Sequence, residues 1–198
     1  MTPHDYAILA QQAYTAIPTI GALDSAARIV LNNMPVGLVL AIPGTNNMAC
    51  LNADLDALVH DAGVFGNVHA GIWKAFAGVW PDVEKLAPVA LTGHSEGAAG
   101  AIYLAAQLAV AGKAPKVVHA FEPPRTSIDE KLAAVFKQFG IELRIYHHGR
   151  DVVPMVPVPI PGEDWQHAGV VTQFGKPTMI FPNLDDHEIS AVIADLPA

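Results

Sequence analysis

Apolar residues in this chain fall into blocks of two kinds, separated by glycine, proline and polar positions. Some blocks are short: Val36–Ile42 is a continuous apolar run that fits a strand buried on both faces, and Val89–Thr92, Lys116–Phe121 and Ile141–His147 are predicted as further strands. Others are longer and helical in spacing. Tyr6–Ile17 carries Ile8, Leu9, Ala13 and Ile17 before Pro18, Ala70–Trp80 ends before Pro81, and Ile128–Phe139 is closed by Gly140. Glu96–Ala111 is dominated by alanine and leucine and stops at Gly112, the composition and the stop signal of a well-formed helix. Met179–Phe181 predicts one more short strand. Strands alternating with helices in this way predict a mainly parallel sheet with helices on both faces.

With 198 residues, 52% of them hydrophobic, the expected organisation is a single domain over 1–198 with a well-filled core. No apolar run reaches the length of a membrane-spanning helix. Met1-Thr-Pro-His-Asp-Tyr6 has no lysine or arginine before its apolar part, so no export signal is read, and the expectation is a protein that is cytoplasmic or released without a recognisable signal peptide. Cys50 is the one cysteine, which excludes an internal disulfide and a cysteine-based metal site. The net charge of -8 without a basic stripe argues against nucleic acid as a partner. Contact with a lipid interface would therefore rest on apolar area.

The densest chemistry lies in Gly93-His94-Ser95-Glu96-Gly97, a G-x-S-x-G motif placed between a predicted strand and a predicted helix, the context this motif requires. Glycine at 93 and 97 removes side chains that would collide in so tight a turn. The turn aims the first amides of the helix at the space above Ser95, where Glu96 N–H would hold an oxyanion. A capping serine in a glycine-rich turn is the plainer interpretation, and the strand and helix around it favour the nucleophile. A serine hydroxyl needs a base, and the base an orienting acid.

In the chain order serine, acid, histidine, the best acid is Asp151, just past the Ile141–His147 strand, with Glu122 at the preceding strand end in reserve. Asp151 as acid leaves His167 and His187 as bases. His187, in Asp185-Asp186-His187-Glu188 between a short strand and a terminal helix, is the choice; Asp186 is too close in sequence to orient it. The second oxyanion donor is assigned to Thr45, in the turn after Val36–Ile42. Nine histidines invite a metal, yet none has zinc-ligand spacing, and the expectation is no metal and no cofactor.

Four separated motifs then carry a family resemblance: Pro43-Gly44-Thr45 followed by Asp54-Leu55; Val68-His69-Ala70-Gly71-Ile72; Gly93–Gly97; and Asp151-Val152-Val153-Pro154 with Pro157. The chain resembles the class 3 lipases, the family of the fungal triacylglycerol lipases. The resemblance implies an α/β-hydrolase fold and a serine lipase or carboxylesterase acting on acylglycerol-type esters. It also implies Ser95 as nucleophile, Asp151 as acid, His187 as base, and Thr45 with Glu96 as oxyanion donors. Phe121-Glu122-Pro123-Pro124-Arg125 resembles the family's Phe-Gly-x-Pro-Arg with Glu122 in place of glycine. The segment around His167 resembles one whose histidine is not catalytic.

Met48, Leu51, Leu55 and Leu58 recur at helical spacing among aspartates. That amphipathic segment, 46–64, is either a lid, as the family implies, or a helix packed permanently on the core. The Val152–Pro161 run is stiff and apolar and serves either as a wall of an acyl pocket or as a rigid surface crossing. An ester or lipid substrate and transient contact with a lipid interface are the partners implied. An acyltransferase with the same residues and a non-catalytic lipid- or ester-binding protein on this fold are the alternatives.

Overall fold

A computed structural model describes residues 1–45 and 58–197. Most of the segment 46–64 lies outside them, including Met48, Leu51 and Leu55. The chain opens with helix α1 (Pro3–Gln12), followed by the hairpin β1 (Val30–Met34) and β2 (Gly37–Ile42). A small antiparallel pair, β3 (Val59–Asp61) and β4 (Asn67–His69), leads into helices α2 (Ala70–Ala77) and α3 (Trp80–Val83). Then come β5 (Ala90–His94), α4 (Glu96–Val110), β6 (Val117–Phe121), α5 (Lys131–Phe139), β7 (Glu142–His148), β8 (Val171–Phe174) and α6 (Ile189–Asp195).

Six strands form one sheet in the order β1-β2-β5-β6-β7-β8. Only the β1–β2 pair is antiparallel; every other neighbour is parallel. The sheet is covered on both faces, as the continuous apolar strands require. Side chains alternate between the two sides. Leu40, Ile42, Leu91, Val118, Ala120 and Ile145 join α2, α4 and α5 in one core, while Val39, Ala41, Ala90, Phe121 and Tyr146 face α1 and α6 in the other. On β5 the second set continues as Thr92, whose hydroxyl donates to Tyr6 O at 3.0 Å, and His94, which meets Tyr14 beyond the end of α1.

Where the elements depart from expectation, the causes are local. Helix α1 begins at Pro3, earlier than the apolar pattern suggests, because Thr2 and Asp5 form a reciprocal capping box. Pro81 does not simply stop a helix: it sits in the first turn of α3, where a missing N–H costs nothing. Met179–Phe181 is not a strand. All three side chains are exposed on the loop between β8 and α6. The edge strands β1 and β8 carry Asn32, Asn33, Thr172 and Gln173, polar residues that edge positions tolerate and an apolar pattern does not reveal. Among the described residues no helix is long and apolar enough to cross a membrane.

Candidate active site

The carboxyl ends of β2, β5, β6 and β7 lie side by side, and each delivers a residue to one place, as parallel sheets do. Ser95 follows β5 with φ 57° and ψ −132°. This is a left-handed conformation uncommon for a residue with a side chain, and holding it costs about 1–3 kcal/mol. Its N–H donates to Phe121 O at 2.9 Å, which leans the turn on the end of β6. A Cβ at Gly93 would collide with the carbonyl of Gly97, and one at Gly97 with those of Ile42 and Pro43. These backbones can approach so closely only because both positions are glycine. Ser95 caps α4 without a side-chain bond to it, so the hydroxyl is not spent on capping.

His187 enters from a single helical turn, Asp185–His187, just before α6. Its Nδ1 lies 2.6 Å from Asp151 Oδ2, and both side chains are buried. The carboxylate accepts, so a neutral His187 carries its hydrogen on Nδ1 and presents Nε2 as a base. The other oxygen of Asp151 accepts Val153 N–H at 2.9 Å, which makes the first part of the Val-Pro run a clamp on the acid. Ser95 Oγ and His187 Nε2 are both buried without a hydrogen-bond partner, the two atoms a proton would pass between.

Two residues that the motif order did not single out hold His187 in place. His94 stacks at a tilt against it, ring centroids 4.6 Å apart, and its Nε2 donates to His187 O at 2.9 Å. A carbonyl only accepts, so His94 Nδ1 is left to accept the Tyr14 hydroxyl at 2.6 Å. The position of His94 inside the G-x-S-x-G motif was the available signal; for Tyr14 there was none. Asp186, rejected as orienting acid, instead ties the loop together by accepting from the N–H groups of Arg150 and Thr178 and from the Asn183 side chain. Against the opposing effect of burial, these bonds hold it at about 2.

Thr45 follows β2, whose Ile42 pairs with Gly93, so its turn lies beside the nucleophile turn. It lines a cavity of about 310 Å³ together with His94, His187, Tyr14, Glu188 and Ile189. Glu96 opens α4, with its N–H at the positive end of the helix dipole. His167 Nε2 donates to Pro154 O at 2.9 Å, so it serves the Val-Pro run and not Ser95. The same run is pinned by Arg125, whose guanidinium bonds Met155 O and Pro157 O, while Val158 and Ile160 are exposed.

Glu122, the reserve acid, comes to the same place. It is fully buried at φ 53°, and one carboxylate oxygen accepts His148 N–H at 2.5 Å. Ligand atoms of Glu122, Asp151 and His187 lie within 4.8 Å of one another. A metal would have to displace the 2.6 Å Asp151–His187 bond, so the group fits an acid–base relay better than a cation. Burial, reinforced by the carboxylate of Asp151, pushes Glu122 well above the usual carboxyl range.

These groups set a pH dependence of stability. Burial pushes His119 down to about 3 and His167 to about 4, and burial followed by repulsion from His187 holds His94 well below the ordinary range. All three are neutral when folded, while the unfolded chain takes up protons below about pH 6.5. Their contribution is therefore complete above that pH and is lost as pH falls toward the folded values, at about 1.4 kcal/mol per pH unit for each proton. Glu122 acts in the opposite sense: its contribution is lost as pH rises from the ordinary glutamate value toward its raised one. Denaturant unfolding across pH 4.5–8.5 is expected to give a maximum between pH 6 and 7. Glu122→Gln is expected to flatten the alkaline side and to steepen the acid side.

The family model for lipase (class 3) matches residues 39–160, more than half of the chain, and the chain belongs to that family. Similar solved structures include a lipase from Rhizopus microsporus var. chinensis, 21% identical over 86% of this chain and 72% of that one, with a TM-score of 0.66. The triacylglyceride lipase of Rhizomucor miehei is 18% identical over 87% and 78%, with a TM-score of 0.67. Lip2 lipase from Yarrowia lipolytica is 19% identical over 93% and 81%, with a TM-score of 0.63. At these identities the likeness establishes the shared fold. A search of curated protein sequences gave no match. Family membership places the chain among lipases, hydrolases of ester bonds.

Proposed function

We propose that the protein hydrolyses carboxylic esters of the acylglycerol type through an acyl-enzyme on Ser95. The observation that carries this reading is the unpartnered pair Ser95 Oγ and His187 Nε2, with the far side of the imidazole fixed 2.6 Å from Asp151. In the proposed cycle His187 Nε2 takes the hydroxyl proton as Ser95 Oγ attacks the ester carbonyl, and Asp151 steadies the imidazolium. The N–H groups of Thr45 and Glu96 receive the oxyanion. The imidazolium returns its proton to the departing alkoxide, and a water molecule repeats the sequence to release the acid.

A lipid substrate is supported by the surroundings. The loop carrying Asn183 pairs with the backbone on both sides of Asp151, Asn183 N–H donating to Arg150 O and Val152 N–H to Asn183 O. The same loop exposes Met179, Ile180 and Phe181, so an apolar rim adjoins the acid and the base. Rates on a series of p-nitrophenyl esters, measured below and above their solubility, and on emulsified triacylglycerol test the reading. Turnover is expected from the wild-type protein and essentially none from folded Ser95→Ala. Equal rates from the two would refute it.

A further inference from the structure

Three neighbouring strands end at this site, and only two of their terminal residues have a part in the proposed cycle. Ser95 follows β5 and Asp151 lies beyond β7. Between these strands, β6 ends at Phe121, and the next residue is Glu122. Its placement is costly and specific. It is fully buried and has a backbone φ of 53°, which residues with a side chain seldom adopt. One oxygen accepts His148 N–H; the other is buried with no hydrogen-bond partner.

Around it stand His187, Asp151 and, farther off, the carboxylate of Asp186. Two carboxyl groups this close in a buried site do not both ionise. Asp151 already accepts from His187 and from Val153 N–H, as an ionised group does, so the proton rests on Glu122.

We propose that Glu122 is a second acid of the site, a positioning residue whose carboxyl group supports Asp151 and can orient His187 in its place. The proposal rests on the Ser95–His187 reading above. In the wild-type protein Glu122 holds its proton toward Asp151. When residue 151 carries no carboxylate, Glu122 loses the repulsion that adds to burial in keeping it protonated, gains His187 Nδ1–H as a donor, and ionises as it accepts that bond. The proton goes to solvent, and no other bond changes.

The test compares kcat/KM against pH for wild type, Glu122→Gln, Asp151→Ala and Asp151→Ala/Glu122→Gln, each checked for folding by thermal unfolding. Asp151→Asn, of the same volume and with an oxygen still able to accept Val153 N–H, is run in parallel. Asp151→Ala is expected to retain a rate at least about 100-fold above the double variant, within the wide loss a missing triad acid causes. That residual rate is expected to rise with pH as Glu122 ionises, a slope absent from the double variant. Glu122→Gln alone, which keeps a donor close to Asp151, is expected to change the wild-type rate less than tenfold, a smaller effect than in the Asp151→Ala background.

In the intact protein at neutral pH, the infrared carbonyl band of a buried protonated carboxyl is expected, and it is expected to disappear in Glu122→Gln. Equal rates for Asp151→Ala and the double variant, or no such band, would overturn the proposal while leaving the Ser95–His187 reading intact. A wild-type protein without esterase activity would remove both.

Discussion

Replacing His187 by alanine is expected to lower kcat for a soluble ester by roughly 10⁴-fold or more, because a buried hydroxyl without a base is a poor nucleophile. KM should move far less, since the imidazole acts on the proton and not on the bulk of the substrate. Ser95→Ala should cost as much. The double variant is expected to lose no more than either single one, the non-additivity of groups that act as a unit. Losses that multiplied in the double variant would mean that the two side chains work separately. The fold should survive the change at 187, because His94 bonds to the backbone carbonyl there and not to the ring. Steady-state kinetics on the four proteins measures all of this.

Gly97→Ala is expected to damage both stability and activity with a single methyl group. The added carbon would fall on the carbonyls of Ile42 and Pro43, which belong to the buried strand β2 and the turn after it and have no side-chain freedom with which to retreat. Overpacking of this kind costs roughly 3 kcal/mol, or on the order of 10 °C in Tm for a chain of this length. Activity should fall further, by about 100-fold, because the same shift separates the Thr45 turn from the Glu96 amide. Gly78→Ala is the control. Its new Cβ would meet Ala75 O at an ordinary 3.6 Å, so stability should change by less than about 0.5 kcal/mol. Thermal and denaturant unfolding, with kinetics at a temperature where both variants are folded, checks the contrast.

The parts of this architecture that could be read from the chain are those in which local composition and burial coincide. The central strands β2, β5 and β6 are buried along most of their length, and so each shows as a short, largely apolar block, while β7 shows by the Leu143, Ile145 and Tyr146 positions between its polar residues. The Asp151–His187 pair and its candidate partner Ser95 could be picked out because a G-x-S-x-G turn marks a candidate nucleophile and chain order then leaves few partners. Edge strands were missed for the opposite reason: β1 and β8 need neither apolar faces nor regular alternation to complete their hydrogen bonds. Met179-Ile180-Phe181 misled because an apolar run looks the same whether it faces the core or rims a site.

Glu122 and Asp186 illustrate a different limit. Both are acids beside a strand end or a base, and only three-dimensional neighbours separate a buried protonated group from one that ties a loop together. Tyr14 belongs with them, since its contact with His94 spans 80 residues.

The central claim is that Ser95 becomes nucleophilic because His187, fixed by Asp151, takes its proton. Covalent labelling with diethyl p-nitrophenyl phosphate, read by mass spectrometry of the proteolysed protein, tests that claim most directly. The expected result is one adduct per chain on the peptide containing Ser95 in the wild-type protein, with labelling slowed at least about 1,000-fold in folded His187→Ala, although Ser95 is still present. An adduct on another residue, or labelling of Ser95 at the same rate with and without His187, would contradict it.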